Sequence, residues 1–267
     1  MYKLIATDMD GTLLTSDKKI SKENREYIIK AQEKGVKFAL ASGRVDEAMT
    51  PFIKELQMDK FGGYILAYNG SKIIDCKNNK VIFSQPITKT DIEFLLKKAA
   101  EFDIAIVTYI DEKLYSTKHH EYVNVESDIT GFPIKIFNSI DDIKVDTVGK
   151  CMFIGDVDKI KKLLDHLQET CSDRFFTCLS DPHFLEVLHK DVSKGTSLLK
   201  LANILKIKKK EVITCGDSYN DIELLKAAGL AVAAGNAVED IKNISNYVSK
   251  NHNEHILADV IKKYILK

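Results

Sequence analysis

Short apolar runs alternate with amphipathic helical stretches through roughly the first 60 and the last 75 residues, the pattern of a parallel sheet covered by helices on both faces. The expected strands are Lys3 to Thr7, Val36 to Ala41, Tyr64 to Tyr68, Val212 to Cys215 and Leu230 to Ala233. Most are apolar at consecutive positions, as a strand must be when neither face meets water. The first helix has Ser21 to cap it, Ile28, Ile29 and Ala31 as its apolar stripe, and Gly35 just past its end. The fold class is therefore α/β.

The texture changes between Ser84 and Asp181. Helix-like Asp91 to Phe102 leads into strand-like Ile104 to Ile110 and a hairpin through Glu112-Lys113. A second α/β unit follows, with Val148 to Ile154 as a strand, Val157 to Cys171 as a helix and Phe175 to Leu179 as a strand. Because the parallel-sheet pattern resumes only afterwards, residues 84–181 read as an inserted domain. Residues 1–83 and 182–267 then form one discontinuous core. The length agrees, since 267 residues exceed the ~250 at which one hydrophobic core usually stops growing.

Composition removes several classes. Lys+Arg and Asp+Glu are both 39, so the basic excess of a phosphate-gripping nucleic-acid binder is missing. No apolar run approaches the ~20 residues of a spanning helix, and Asp8 comes too early for a signal peptide. Neither a nucleic acid nor a membrane is an expected partner. The five cysteines form no C-x-x-C pair, which points to reduced thiols and a cytoplasmic location.

Three polar segments follow apolar strands. Asp8-Met9-Asp10-Gly11-Thr12 comes after the first, and side chains two apart on an extended chain point the same way, so Asp8 and Asp10 are expected to face one site. Ala41-Ser42-Gly43-Arg44 offers a hydroxyl and free N–H groups to an anionic oxygen. Arginine occurs only at 25, 44 and 174, so Arg44 stands out in a chain that otherwise uses lysine. Gly216-Asp217-Ser218-Tyr219-Asn220-Asp221 runs into a helix, where Asp221 has an ordinary dipole explanation and Asp217 does not. A fourth segment, Ser193-Lys194-Gly195, opens a helix-like run from Thr196 to Leu205 and puts an ammonium at the unfavourable dipole end unless an anion faces it.

Ligands of open α/β sheets bind at the carboxyl ends of the strands, where the first three segments fall. Gathering Asp8, Asp10 and Asp217 there requires a cation, and an all-oxygen set with so few carboxylates suits Mg²⁺. Such a site is built for phosphoryl transfer. Asp8 would attack phosphorus to form an aspartyl-phosphate, and Asp10 would protonate the leaving oxygen and then take a proton from water. Lys194 would neutralise the spreading charge.

These segments, together with Tyr68-Asn69-Gly70, resemble the haloacid dehalogenase superfamily, and most closely its Cof-type phosphatases of subclass IIB. The resemblance implies a Rossmannoid core with a large α/β cap that sets substrate specificity. It implies that Asp8 is nucleophile and Mg²⁺ ligand, that Asp10 is the acid/base residue and reaches the metal through its backbone carbonyl, and that Asp217 is the third protein ligand. Asp221 would support the metal shell, while the Met9 backbone, Ser42, Gly43, Lys194 and Asn220 match phosphate-contacting positions. Arg44 and Asn69 stand as substrate-side candidates. In the cap, Tyr109, Tyr115, His119 and His183 are polar or aromatic enough to touch a substrate. Leu224 and Ala234 replace frequent methionines, and Asn253-Glu254-His255 replaces the more usual Asp-Gly.

The expected activity is Mg²⁺-dependent hydrolysis of small phosphomonoesters, such as sugar phosphates or phosphorylated cofactors. A phosphomutase or phosphotransferase using the same residues, and a non-catalytic regulator that binds a phosphometabolite, are the alternatives.

Overall fold

The computed structural model describes residues 1–266, in two compact units: Met1–Ser84 with Ser193–Lys267, and Gln85–Val192. The first unit is built on an eight-stranded sheet. Its order is Tyr247–Val248, Leu230–Ala233, Val212–Gly216, Leu4–Thr7, Lys37–Ala41, Tyr64–Ala67, Lys72–Asp75 and Lys80–Ser84. The first six strands run parallel and the last two form an antiparallel extension.

Alternate residues of each strand feed two separate cores. Ile5, Phe38, Leu40, Ile65 and Ile213 pack with Ile28 and Ala31 of the Lys22–Glu33 helix and with Ile256, Leu257, Val260 and Ile261 of the Ile256–Tyr264 helix. Leu4, Ala6, Ala39, Leu66 and Val212 pack on the opposite face with Leu198, Leu201 and Ala202 of the Lys194–Ile204 helix. Consecutive apolar positions in these strands are thus explained by a helix layer on either side. As the sequence suggests, Ser21 caps the Lys22–Glu33 helix by accepting from the Asn24 N–H, and Gly35 follows its end at φ 82. His255 sits at φ 68, a left-handed position that glycine occupies at least cost, and its Nδ1 lies 2.9 Å from the Ser21 hydroxyl.

The second unit carries a six-stranded sheet in the order Phe175–Asp181, Phe184–His189, Cys151–Ile154, Ala105–Ile110, Lys113–Ser116 and Ile134–Ile136. Helices Lys89–Glu101 and Val157–Thr170 bury Ile92, Leu95, Ile160, Leu163 and Leu167 against Ile106, Cys151, Phe153, Leu185 and Val187.

Three sequence-based boundaries need correction. The inserted unit ends at Val192, not at Asp181, because Phe175–Asp181 pairs with Phe184–His189 as a hairpin whose second strand also pairs with Cys151–Ile154 of that sheet. The expected strand Val148 to Ile154 is two: Thr147–Val148 pairs with Ile87–Thr88, while Cys151–Ile154 joins the main sheet. The helix expected from Thr196 begins at Lys194, with Ser193 as its cap.

Candidate active site

The Leu4–Thr7 strand ends just before Asp8, whose N–H donates to the Cys215 carbonyl of the neighbouring strand (2.9 Å) and so fixes the aspartate at the sheet's carboxyl edge. Asp8 is only 5% exposed. Carboxylate oxygens of Asp8, Asp217 and Asp221 lie within 4.8 Å of one another. Lys194 is equally buried. Its Nζ donates to Asp8 Oδ1 (2.5 Å) and to Asp221 Oδ1 (2.7 Å), so the first residue of one helix cross-links two strand-end segments. The capping hydroxyl of Ser193 accepts from the Thr196 N–H (3.1 Å), which turns the chain so that Lys194 enters the site from the helix's first turn.

Asp221 serves more than the helix dipole. Its Oδ2 accepts from the Asp217 N–H (2.9 Å) and the Ser218 N–H (3.3 Å), which closes the loop on which Asp217 rides. Asp217 Oδ1 accepts from the Thr12 hydroxyl (2.6 Å). Gly11, at φ 80, lets the Asp8-to-Thr12 segment pass against the Asp217 carboxylate, because a Cβ there would collide with it. Thr12 was not singled out in the sequence, as its partner lies 205 residues away.

The arrangement differs from expectation at Asp10. The strand stops at Thr7, so the two-residue alternation does not carry through to Asp10. Its carboxylate is outside the acidic cluster. It is gripped by the Arg44 fork (Nε to Oδ2 2.7 Å, Nη2 to Oδ1 2.8 Å) and by Lys18 Nζ (2.9 Å). The planar guanidinium that stood out in the sequence thus binds a side chain of its own protein. Lys18 was missed, because nothing distinguishes it from the many other lysines.

Ser42 is buried at 2% exposure, and its hydroxyl accepts from the Arg44 N–H (3.2 Å), so the Ser42-Gly43-Arg44 turn is locally closed. Met9 is fully buried and its carbonyl accepts from the Leu14 N–H (2.8 Å). Gly43 and Asn220 are half-buried. Asn69 is buried, with its N–H donating to the Ser42 carbonyl (2.8 Å). In the second unit, Tyr109 and Tyr115 are buried, His119 is exposed and His183 stacks on Tyr122 at 3.7 Å between ring centroids.

Electrostatics divide the acids. Burial pushes the Asp8 carboxyl well above its usual range; the Lys194 charge pulls it back in part, while the charges of Asp221 and Asp217 push it further up. Burial and the Asp221 charge likewise lift Asp217 to about 6. Burial would lower the Lys194 ammonium, but Asp221 and Asp8 overcome it and hold the proton firmly. At Asp10 burial is opposed by Arg44 and then Lys18, which keep the carboxyl at about 2.

Three clustered carboxylates against one ammonium leave an excess of buried negative charge. The all-oxygen donor set fits a hard divalent cation. Asp8 and Asp217 hold their protons longer when folded than when unfolded. The metal-free fold is therefore penalised as pH rises above the unfolded value of 3.8, for Asp217 through about 6 and for Asp8 in the same direction, and relieved on acidification. We expect millimolar Mg²⁺ to raise the thermal midpoint at pH 7.5 and to raise it less at pH 5, where protons take the cation's place. A midpoint indifferent to Mg²⁺ at pH 7.5 would count against a cation at these residues.

Comparison with known proteins agrees with this architecture. Residues 5–261 match the family model described as haloacid dehalogenase-like hydrolase. The chain belongs to that family. Among solved structures it is similar to a haloacid dehalogenase-like hydrolase from Bacteroides thetaiotaomicron, at 33% identity and TM-score 0.86 over 98% of this chain and 99% of the other. Among named proteins it is similar to Bacillus subtilis YxeH, provisionally named a phosphatase, at 30% identity over 100% of this chain and 99% of that one. It is also similar to the 5-amino-6-(5-phospho-D-ribitylamino)uracil phosphatase YwtE of the same organism, at 28% identity over 96% of each. Among the described residues no helix is long and apolar enough to cross a membrane.

Proposed function

We propose that the chain is a Mg²⁺-dependent phosphatase that hydrolyses small phosphomonoesters, of the sugar-phosphate or phosphorylated-cofactor kind, through an aspartyl-phosphate. The observation that carries this is the convergence of Asp8, Asp217 and Asp221 on one side and Lys194 on the other at the sheet's carboxyl edge. Family membership and relatives named as phosphatases support it.

Asp8, Asp217 and the Asp10 backbone carbonyl would hold the ion, with Asp221 behind them. When bound, it supplies charge neutralisation for an anionic nucleophile meeting an anionic substrate. Asp8 forms the bond to phosphorus as the bond to the leaving oxygen breaks, and Asp10 gives that oxygen its proton. Water then attacks the phosphoryl group, Asp10 takes up the water's proton, and inorganic phosphate leaves with Asp8 restored. Lys194 remains charged throughout and faces the transferring oxygens, with N–H groups at Met9, Gly43 and Asn220 and the Ser42 hydroxyl completing the cradle. The Arg44 grip adds a condition. While it lasts, Asp10 is ionised and cannot act as an acid, so the fork must release Asp10 when substrate arrives. The unit 85–192 supplies the groups that distinguish one leaving alcohol from another, since the phosphoryl oxygens are common to all monoesters. Five cysteines unpaired with one another suit a cytoplasmic protein.

The direct test is phosphate release from a panel of phosphomonoesters with Mg²⁺ and with chelator. Release that requires Mg²⁺ supports the reading, and no release from any member overturns it. On the same panel Asp10→Asn is expected to lose roughly 10²- to 10⁴-fold with alkyl phosphates and distinctly less with p-nitrophenyl phosphate, whose leaving group needs little protonation. Equal losses on both, with phosphorylation limiting, would contradict the acid role.

A further inference from the structure

Gly11 stands between two groups that shape the acidic cluster. On one side is Asp10, whose backbone carbonyl is a proposed ligand of the ion. On the other is Thr12, whose hydroxyl donates to Asp217 Oδ1 (2.6 Å). A glycine at φ 80 has no side chain to limit its movement, so its surroundings must hold it. Asn236 supplies that hold. Its Nδ2 donates to the Gly11 carbonyl (2.8 Å), and its Oδ1 accepts from the His252 N–H (2.9 Å). Both amide atoms of one side chain thus tie the loop after the Leu230–Ala233 strand to a segment 225 positions earlier and to a turn 16 positions later.

The anchor is itself fixed. The Gly235 N–H donates to the Lys250 carbonyl (2.8 Å), and a Cβ on Gly235 would stand 2.9 Å from the Asn251 nitrogen, so the two loops lie against each other. The Val238 N–H donates to the Asp217 carbonyl (3.1 Å), which joins the same loop to the cluster from another direction. The His252–Glu254 turn grips the departing chain a second time, where Asn253 Oδ1 accepts from the Ser16 N–H (2.9 Å) and Asn253 Nδ2 donates to the Ser16 hydroxyl (3.0 Å). Ser16, Asn236 and Asn253 are exposed, so these bonds fill no core; they set the position of a loop.

We propose that Asn236 is a positioning residue for the cation site, acting through the Gly11 carbonyl. With that carbonyl held, the peptides on either side of Gly11 cannot swing freely, and the Asp10 carbonyl and the Thr12 hydroxyl keep their settings. Without it the ion would have to order the glycine as it binds, and its affinity would fall by the cost of that ordering. The inference rests on the Mg²⁺-dependent reading of the site and adds a residue that touches neither ion nor substrate.

The test reads the dissociation constant for Mg²⁺ from the rise of the thermal midpoint over a Mg²⁺ series at pH 7.5, without substrate, in the wild type, Asn236→Ala and Asn253→Ala. Each protein is compared with its own metal-free midpoint, so a change in basal stability cancels. Asn253→Ala releases Ser16 but leaves Asn236 on Gly11. We expect the constant to rise about threefold or more in Asn236→Ala, as losses behind a metal's ligands do, and less than about twofold in Asn253→Ala. Phosphate release should need correspondingly more Mg²⁺ for half its maximum, with kcat at saturating Mg²⁺ within about twofold of wild type, since the bound ion then orders the loop. An unchanged constant in Asn236→Ala, or a loss confined to kcat, overturns the proposal and leaves the phosphatase reading standing. An equal rise in both variants assigns the effect to general loosening of the loop and overturns it too. A wild-type midpoint indifferent to Mg²⁺ overturns the cation reading and this inference with it.

Discussion

Asp8→Asn is expected to reduce turnover at least about a thousandfold while the protein stays folded. The amide is nearly isosteric with the carboxylate but cannot displace the leaving oxygen. Stability should hold or rise without metal, because burial and the charges of Asp221 and Asp217 all oppose an ionised Asp8. Asp221 still pairs with Lys194 in the variant. Steady-state phosphate release and a urea unfolding curve on one preparation check both halves. More than a few per cent of wild-type kcat would remove Asp8 as nucleophile.

Lys194→Met is expected to damage both fold and activity. The ammonium is fully buried between two carboxylates, and removing one partner of such a cluster costs about 3–5 kcal/mol because the other charges stay buried. Near neutral pH the unfolding free energy in chelator should fall by about that amount. The loss should shrink near pH 5, where Asp8 and Asp217, both with raised values, take up protons and relieve the repulsion. A loss below about 1 kcal/mol at pH 7.5 would mean that solvent or rearrangement shields the acids, contrary to their burial.

The core was readable from sequence because each of its five expected strands is an apolar run buried on both faces and ended by a polar turn. Weaker elements lacked that signature. Tyr247–Val248 is two residues long. The Glu121–Thr130 helix buries only Val123 and Glu126, too little to print a stripe. The Lys72–Asp75 and Lys80–Ser84 pair went unassigned since its outer strand is largely exposed and the hairpin carries an irregularity. In the site, the placement of Asp8, Lys194 and Asp217 at element ends follows from local pattern. The grip of Arg44 and Lys18 on Asp10, and of Thr12 on Asp217, does not. Those pairs depend on how distant loops meet, which no local spacing encodes.

Leu4–Thr7 lies in the middle of its sheet, between Lys37–Ala41 and Val212–Gly216. During synthesis the first partner emerges quickly, but the second requires some 200 further residues, roughly 10–40 seconds of translation at 5–20 residues per second. Throughout that interval the nascent chain carries an apolar strand with one open edge, the kind of surface that pairs with the wrong neighbour. The unit Gln85–Val192 has all its strand partners within its own span and can close while the rest waits. Its position in the middle of the message therefore makes it the first finished body on the ribosome, and the chain's own amino terminus among the last regions to become safe from aggregation.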